Sequence, residues 1–238
     1  MIRRIKSKIR RMIYGQPVEK NPSEALVERL RSLGMRIGEG TIFFDPPSNI
    51  VDETRPWLIE IGNDVQITHG VIILTHGYDW SVLKGLYGEV LGSAGKVTIG
   101  NNVFIGMNTI ILKGVTIGNN VIIGAGSLVN KDVPDNCVVA GNPARVITTV
   151  EEYHKKRQAA QEAEARELVA EYRKVYGEEP NEAALGEFFW LFTDEPEKVE
   201  HSTWVRRMNC VRNRAFSDEV LRKNPKKYRD MEDFLNHC

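Results

Sequence analysis

Five histidines are the side chains of this 238-residue chain best suited to take and return a proton near neutral pH, because imidazole titrates close to 6.5. Two of them lie in β-rich sequence, His69 in "ITHGVI" and His76 in "VIILTHGYDW". The other three, His154, His201 and His237, fall in a charged tail and receive no role. A catalytic zinc needs about three protein ligands. His69 and His76 supply two, and the scattered cysteines Cys137, Cys210 and Cys238 have neither metal nor disulfide spacing. No metal site is expected. Asp79, three residues beyond His76, is placed to orient an imidazole as a triad acid does, and a backbone carbonyl would serve equally well.

The elements that must position these groups follow from the aliphatic residues around them. Ile99, Ile105, Ile111, Ile117, Ile123 and Val129 are spaced six apart, which is neither a helical period nor simple strand alternation. Two positions before each stand Val97, Val103, Thr109, Val115, Val121 and Ser127. An i, i+2 pair shares one face of a strand, so each block is a very short strand with two inward side chains. Gly100, Gly106, Gly118 and Gly124 follow, with Asn-Asn at 101–102 and 119–120, residues that tolerate corners. Strand, corner and strand of equal length, three times over, close a triangle. The phrase VTIGNNV recurs from Val97 to Val115, so 18 residues make one turn of a three-sided prism of stacked parallel strands. Upstream the same phase holds at Ile61, Ile67 and Ile73, with Ile59, Val65 and Val71 before them, and Ile37-Gly38 and Phe43 open the first coil. Between Ile73 and Ile99 about twenty residues too many intervene. They must leave the prism as a loop, and His76 stands at its start.

Charge and composition shift at two borders. Residues 1–36 carry ten Lys/Arg and three Glu, residues 37–150 six basic and ten acidic groups, residues 151–238 sixteen and nineteen. Three segments result: a basic N-terminal helical segment (1–36), the β-helical domain (37–150) and a C-terminal α-helical extension (151–238). The zero net charge argues against a nucleic-acid binder. No apolar run approaches a membrane span and no signal-peptide core follows the basic start, so a cytoplasmic location is expected. Ile2, Ile5, Ile9, Met12 and Ile13 form one apolar stripe among basic residues. Such a helix docks on its own protein or lies against the inner face of an anionic membrane through residues 1–14. Residues 151–176 read as a long helix stopped at Gly177, with Asn181 capping a second helix, "EAALGEFFWLF", and Ser217 or Asp218 opening a third. Subunit contact or covering the open end of the prism is the expected work of this tail.

The run 99–147, with its repeats, "IGAGSLVNKDVP" and the closing "AGNPARVI", resembles the hexapeptide-repeat acyltransferases. Within them it is similar to the galactoside/maltose O-acetyltransferase-like group, including the O-acetyltransferases of polysaccharide loci. The resemblance covers about residues 37–150. It implies an all-β core with α extensions, a left-handed parallel β-helix with one long protruding loop, and a homotrimer with active sites in the grooves between subunits. It also implies acetyl-CoA as co-substrate and a saccharide hydroxyl as acceptor, on a capsular, lipopolysaccharide or similar glycan that is free or lipid-linked. His76 matches the family's catalytic histidine, and Asn49 falls near an acceptor-binding Asn. Gly124 and Ala125 match the small residues beside the pantetheine arm, and Lys131 and Arg145 match basic positions that meet the phosphates of CoA. Met107 and Asn130 replace the Ser and Thr common at two further donor positions. Tyr78, Trp80 and Tyr87 on the loop can stack on a sugar or pin the loop to a neighbouring subunit, and His69 stands one rung before His76.

Three alternatives remain open from the residues: an N-acetyltransferase acting on an amino sugar or antibiotic, a metalloenzyme on the same prism, and a non-catalytic trimeric scaffold.

Overall fold

The computed structural model describes residues 21–238, and the stripe at Ile2–Ile13 lies outside them. The chain forms two compact units, one of residues up to 135 with 139–145, the other of 136–138 with 146–238.

The first unit opens with helix α1 (Pro22–Ser32), capped by the Asn21 side chain on the Ser23 N–H. Its strands are β1 (Arg36–Ile37), β2 (Ile42–Phe43), β3 (Ile50–Val51), β4 (Ile59–Ile61), β5 (Gln66–Ile67) and β6 (Ile72–Ile73). Helix α2 (Trp80–Tyr87) interrupts them before β7 (Val97–Ile99), β8 (Val103–Ile105), β9 (Ile110–Ile111), β10 (Thr116–Ile117), β11 (Val121–Ile123) and β12 (Leu128–Val129). All pairings between these strands are parallel. One face of the prism stacks β1, β4, β7 and β10, the second β2, β5, β8 and β11, and the third β3, β6, β9 and β12. The strands are only two or three residues long because a corner follows each. Non-glycine residues with positive φ serve several of those corners, Asn102, Asn108 and Asn120 among them.

Register confirms the six-residue reading. Ile61 pairs with Ile99 and Ile99 with Ile117, Ile67 with Ile105 and Ile105 with Ile123, Ile73 with Ile111 and Ile111 with Val129. All of these are at most 2% exposed, so the interior of the prism is a column of branched aliphatics. Burying each contributes about 1.5–3 kcal/mol relative to exposure. Glycine at the corners lets successive coils approach: a Cβ on Gly106 would sit 2.5 Å from the Ala125 backbone nitrogen, and one on Gly62 2.5 Å from the Gly100 carbonyl oxygen.

The upper coils repeat every 18 residues, but the lower ones do not. Asn101 lies 18 residues from the Asn119 that caps it, Asn63 lies 38 from Asn101, and Arg36 lies 24 from Glu60. The largest surplus is the excursion carrying α2. An antiparallel bridge of His76 with Ala94 closes its base, aided by Gly77 N–H to Ser93 O (3.2 Å) and Gly95 N–H to Thr75 O (2.9 Å). No residue of α2 is buried. The smaller surplus in the first coil forms short 3-10 turns at Pro46–Ser48 and Pro56–Leu58.

Strand β13 (Cys137–Ala140) continues the second face through the Gly124 N–H to Val139 O (2.8 Å). It is followed by β14 (Arg145–Thr149). The second unit is led by α3 (Val150–Tyr176), which starts at a capping box of Thr149 and Glu152 and ends on Gly177 at φ 69°. Then come α4 (Pro196–Glu200), α5 (Val205–Met208), α6 (Arg214–Arg222) and α7 (Met231–Asn236).

Two expectations about this tail are corrected. Asn181 accepts from the Ala183 and Ala184 N–H groups, but only turns follow, ending in a 3-10 turn at Phe189–Leu191. Phe189 and Phe192 point into a local core instead of lining an α-helical face: Phe189 stacks on Trp204 (5.5 Å, 13°), and Phe192 on Phe234 (5.6 Å). Ser217 and Asp218 lie inside α6, which begins after Asn213, and Asp218 binds Arg214 at 2.7 Å across one helical turn. The tail owns a buried cluster that includes Ala165, Val169, Leu185, Phe189, Phe192 and Leu221. Among the described residues no helix is long and apolar enough to cross a membrane.

Candidate active site

A three-sided prism has three edges, and strand order decides which side chains share one. The turns that follow β3, β6, β9 and β12 form a single edge. On it stand Asp52 in the first turn, His76 in the second, and Asn130 and Lys131 in the fourth. The turns after β5, β8 and β11 form another edge, bearing His69, Met107 and Ala125, stacked through Asn108 N–H to His69 O (2.9 Å) and Gly126 N–H to Met107 O (2.7 Å).

At the first edge the His76 Nδ1 lies 2.6 Å from Asp52 Oδ2. The carboxylate side chain is 4% exposed and the imidazole 14%. Asp52 also accepts the Thr54 N–H (3.0 Å), the Thr54 hydroxyl (2.6 Å), the Thr75 N–H (3.2 Å) and the Thr75 hydroxyl. Burial by itself raises its pKa. The hydrogen bonds from Thr54, Thr75 and His76 outweigh that and hold the carboxyl well below the usual range. The group is therefore an anion at neutral pH. An anion can only accept, so Nδ1 carries a proton, and in the neutral imidazole the lone pair is on Nε2. Nε2 makes no hydrogen bond to another described residue. The arrangement is that of a general base with an acid behind it.

Asp52 was not singled out in the sequence; Asp79 was. That assignment is corrected: the Asp79 carboxylate turns back over Gly77, where an added Cβ would lie 2.5 Å from its Oδ1. Asp52 stands 24 residues before His76, the offset that also separates Arg36 from Glu60 in the enlarged first coil. Counting by that coil instead of by 18 would have paired the two.

The loop aromatics divide. Tyr78 meets the His76 ring edge-on at 5.3 Å, and Trp80 follows at 6.0 Å from Tyr78. Tyr87, 68% exposed, makes no such ring contact. His69 belongs to the other edge, where its Nδ1 lies 2.6 Å from Asp45 Oδ2 with both side chains about half exposed. Asn49 spends both ends of its amide on backbone, accepting from Val71 N–H (3.0 Å) and donating to Asp45 O (2.7 Å). Among the described residues no group of three His, Cys, Asp or Glu side chains is gathered as a metal-ligand set.

Gly124 has a packing reason to be small: a Cβ there would meet the Ala140 methyl at 2.9 Å. Ala125 and Met107 face solvent, Met107 at 49%. Lys131 and Arg145 are exposed and have no carboxylate partner among the described residues; the Arg145 guanidinium donates only to the Ala144 carbonyl (2.8 Å). The Ala144 N–H reaches Leu128 O (2.8 Å), which ties Arg145 to the coil that ends at Lys131. Two unpaired cations on adjoining coils suit an anionic, phosphate-bearing ligand.

The family pattern described as bacterial transferase hexapeptide (six repeats) matches residues 96–131. Protein CapG of Staphylococcus aureus is 45% identical over 144 residues, 60% of this chain and 81% of that protein. The galactoside O-acetyltransferase of Escherichia coli K12 is 42% identical over 106 residues, 44% of this chain and half of that protein. Among solved structures, a maltose O-acetyltransferase from Clostridium difficile 630 is 30% identical, covering 62% of this chain and 85% of that one, with a TM-score of 0.43. The chain belongs to the bacterial hexapeptide-repeat transferases and is an acyltransferase of that family, its repeats wound as the left-handed parallel β-helix.

Proposed function

We propose that the chain is an acetyl-CoA-dependent O-acetyltransferase that acylates a saccharide hydroxyl, with His76 as general base. The buried dyad of His76 and Asp52 carries this reading. Similarity to a galactoside O-acetyltransferase supports the saccharide and the oxygen. The unpaired Lys131 and Arg145 fit the phosphates of the donor. His76 Nε2 takes the proton of the acceptor hydroxyl as its oxygen attacks the thioester carbonyl. The tetrahedral intermediate collapses, the C–S bond breaks, and the imidazolium returns the proton to the departing sulfur. The ester and the free thiol of CoA are the products, and no covalent enzyme intermediate is required.

Within one chain His76 and Lys131 share an edge, whereas Ala125 and Met107 stand on another. A trimer that sets the first edge of one protomer beside the second edge of its partner assembles all four. This supports the homotrimer with its site in the groove between subunits.

The test is thiol release from acetyl-CoA across a panel of mono-, oligo- and lipid-linked saccharides, with mass analysis of the product. His76→Ala should lower turnover by about 10²–10⁴-fold with acetyl-CoA binding intact. Retention of more than about a tenth of turnover sinks the base assignment. An amide product moves the acceptor to an amino group.

A further inference from the structure

The helical unit holds a cleft of about 680 Å³, inside the range of about 300–1,000 Å³ typical of small-molecule sites. Its two walls differ. One is the face of α3 bearing His154, Gln158 and Gln161, spaced four and three apart so that they align on the helix. The other presents Phe188 and Trp190. Asn224 locks this second wall by donating its Nδ2 to Trp190 O (2.6 Å) and Thr193 O (3.2 Å), and the indole lies 6.0 Å from the buried Phe189.

The hydrogen-bonding capacity of the cleft is unspent. The other tryptophan of this unit, Trp204, is buried and donates its Nε1–H to Glu182 O (2.9 Å). Trp190 is half-buried, and its Nε1–H has no partner among the described residues. The side chains of His154, Gln158 and Gln161 likewise make no hydrogen bond to a described residue. The charges at the rim, by contrast, are spent. Arg157 is held bidentately by Glu164, Lys223 binds Glu219 at 2.6 Å, and Glu187 faces Arg207 at 3.8 Å.

This combination selects a ligand class. An anion would require free cations, and the two that line the cleft are neutralised. An apolar helix or strand would require apolar residues on both walls, and the α3 wall is amide and imidazole. A pyranose presents C–H bonds on one face and hydroxyls around its edge, which match an aromatic plane opposed by a row of amides. We propose that this cleft binds a neutral saccharide segment, distinct from the hydroxyl that reacts at His76. The proposal rests on the saccharide reading above and assigns the helical unit a part in holding a glycan.

The experiment titrates the full chain with maltohexaose, cellohexaose and chitohexaose, read by saturation-transfer NMR and calorimetry. At least one hexasaccharide is expected to bind. Trp190→Ala and the double variant Gln158→Ala/Gln161→Ala should each weaken it at least about tenfold, which is 1.4 kcal/mol. His76→Ala should leave it unchanged. The double variant removes two polar side chains that make no hydrogen bond to a described residue, so it keeps the test valid where Trp190→Ala fails to fold. Absence of binding by all three sugars at millimolar concentration, or equal binding by the double variant, overturns the proposal. Acetyl transfer without cleft binding removes this inference alone, whereas cleft binding without acetyl transfer removes the catalytic reading alone.

Discussion

Replacing Asp52 by Asn tests the site at its least exposed point. The carboxylate receives five donors: two from Thr54, two from Thr75 and one from His76. Asn has one acceptor oxygen and one NH₂ in the same space. With the NH₂ at the Oδ2 position it confronts the Thr75 N–H and offers His76 Nδ1 a proton, so the imidazole must turn its lone pair inward and present Nε2–H to the substrate. With the NH₂ at the Oδ1 position it confronts the Thr54 N–H. Either way a buried donor is left unsatisfied, at about 1–3 kcal/mol of stability. Either orientation removes the anion that stabilises the imidazolium, and the first also removes the correct tautomer, so kcat/KM should fall about 10²–10⁴-fold, or about 3–5 kcal/mol of transition-state stabilisation. Thiol release from acetyl-CoA with a productive saccharide measures the first effect and urea unfolding the second. In a His76→Ala background the same substitution should cost little further activity, because the two residues act as one unit. If Asp52→Asn keeps more than about a tenth of kcat/KM, or if its loss simply adds to that of His76→Ala, the Asp52 carboxylate does not support the imidazole in catalysis.

Other outcomes follow from single contacts. Gly106→Ala places a methyl 2.5 Å from the Ala125 nitrogen, so the coils must part; a loss of about 1–3 kcal/mol should appear as an earlier urea midpoint. Lys131→Ala removes an unpaired cation from the dyad's edge and should raise KM for acetyl-CoA about tenfold, with kcat within about twofold. Glu162 binds Lys227, Tyr228 and Arg166, which pull its carboxyl down to about 2. A depressed acid stabilises the fold above its unfolded value near 4.3 and loses that contribution as pH falls toward 2. Glu162→Gln should therefore flatten the stability-versus-pH curve between about pH 4.5 and 2, followed by circular dichroism of the helical signal.

Periodicity made the scaffold legible and left the dyad half hidden, and both results have one cause. Every residue named from the six-step pattern, from Ile61 to Val129, lies inside the prism because a fixed corner geometry allows no other phase. The long α3 helix and its stop at Gly177 were equally plain, since propensity and a left-handed glycine act locally. The short tail segments were not. Asn181 and Ser217 are good caps on paper, but packing of Phe189, Phe192 and Trp204 into one core decided where the chain turns. At the site, His76 was visible because it interrupts the repeat. Its acid was not, because Asp52 lies in a coil whose length departs from 18.

That departure carries physical weight. A regular coil fills its interior with aliphatics and its corners with Gly and Asn, so no position in it brings a buried carboxylate to an imidazole. Both partners of the dyad therefore sit where extra residues enter. Asp52 precedes the turn at Pro56–Leu58, and His76 starts the excursion that holds α2. The enlarged first coil supplies Thr54 as well as Asp52, and Thr75 comes from the last regular position before the excursion. The prism fixes the backbone of both turns to successive rungs, through Asp52 N–H to Ile73 O (3.0 Å) and Leu74 N–H to Ile111 O (3.0 Å). A rigid ladder with irregular insertions thus holds a charged pair that neither the ladder nor a free loop could hold alone.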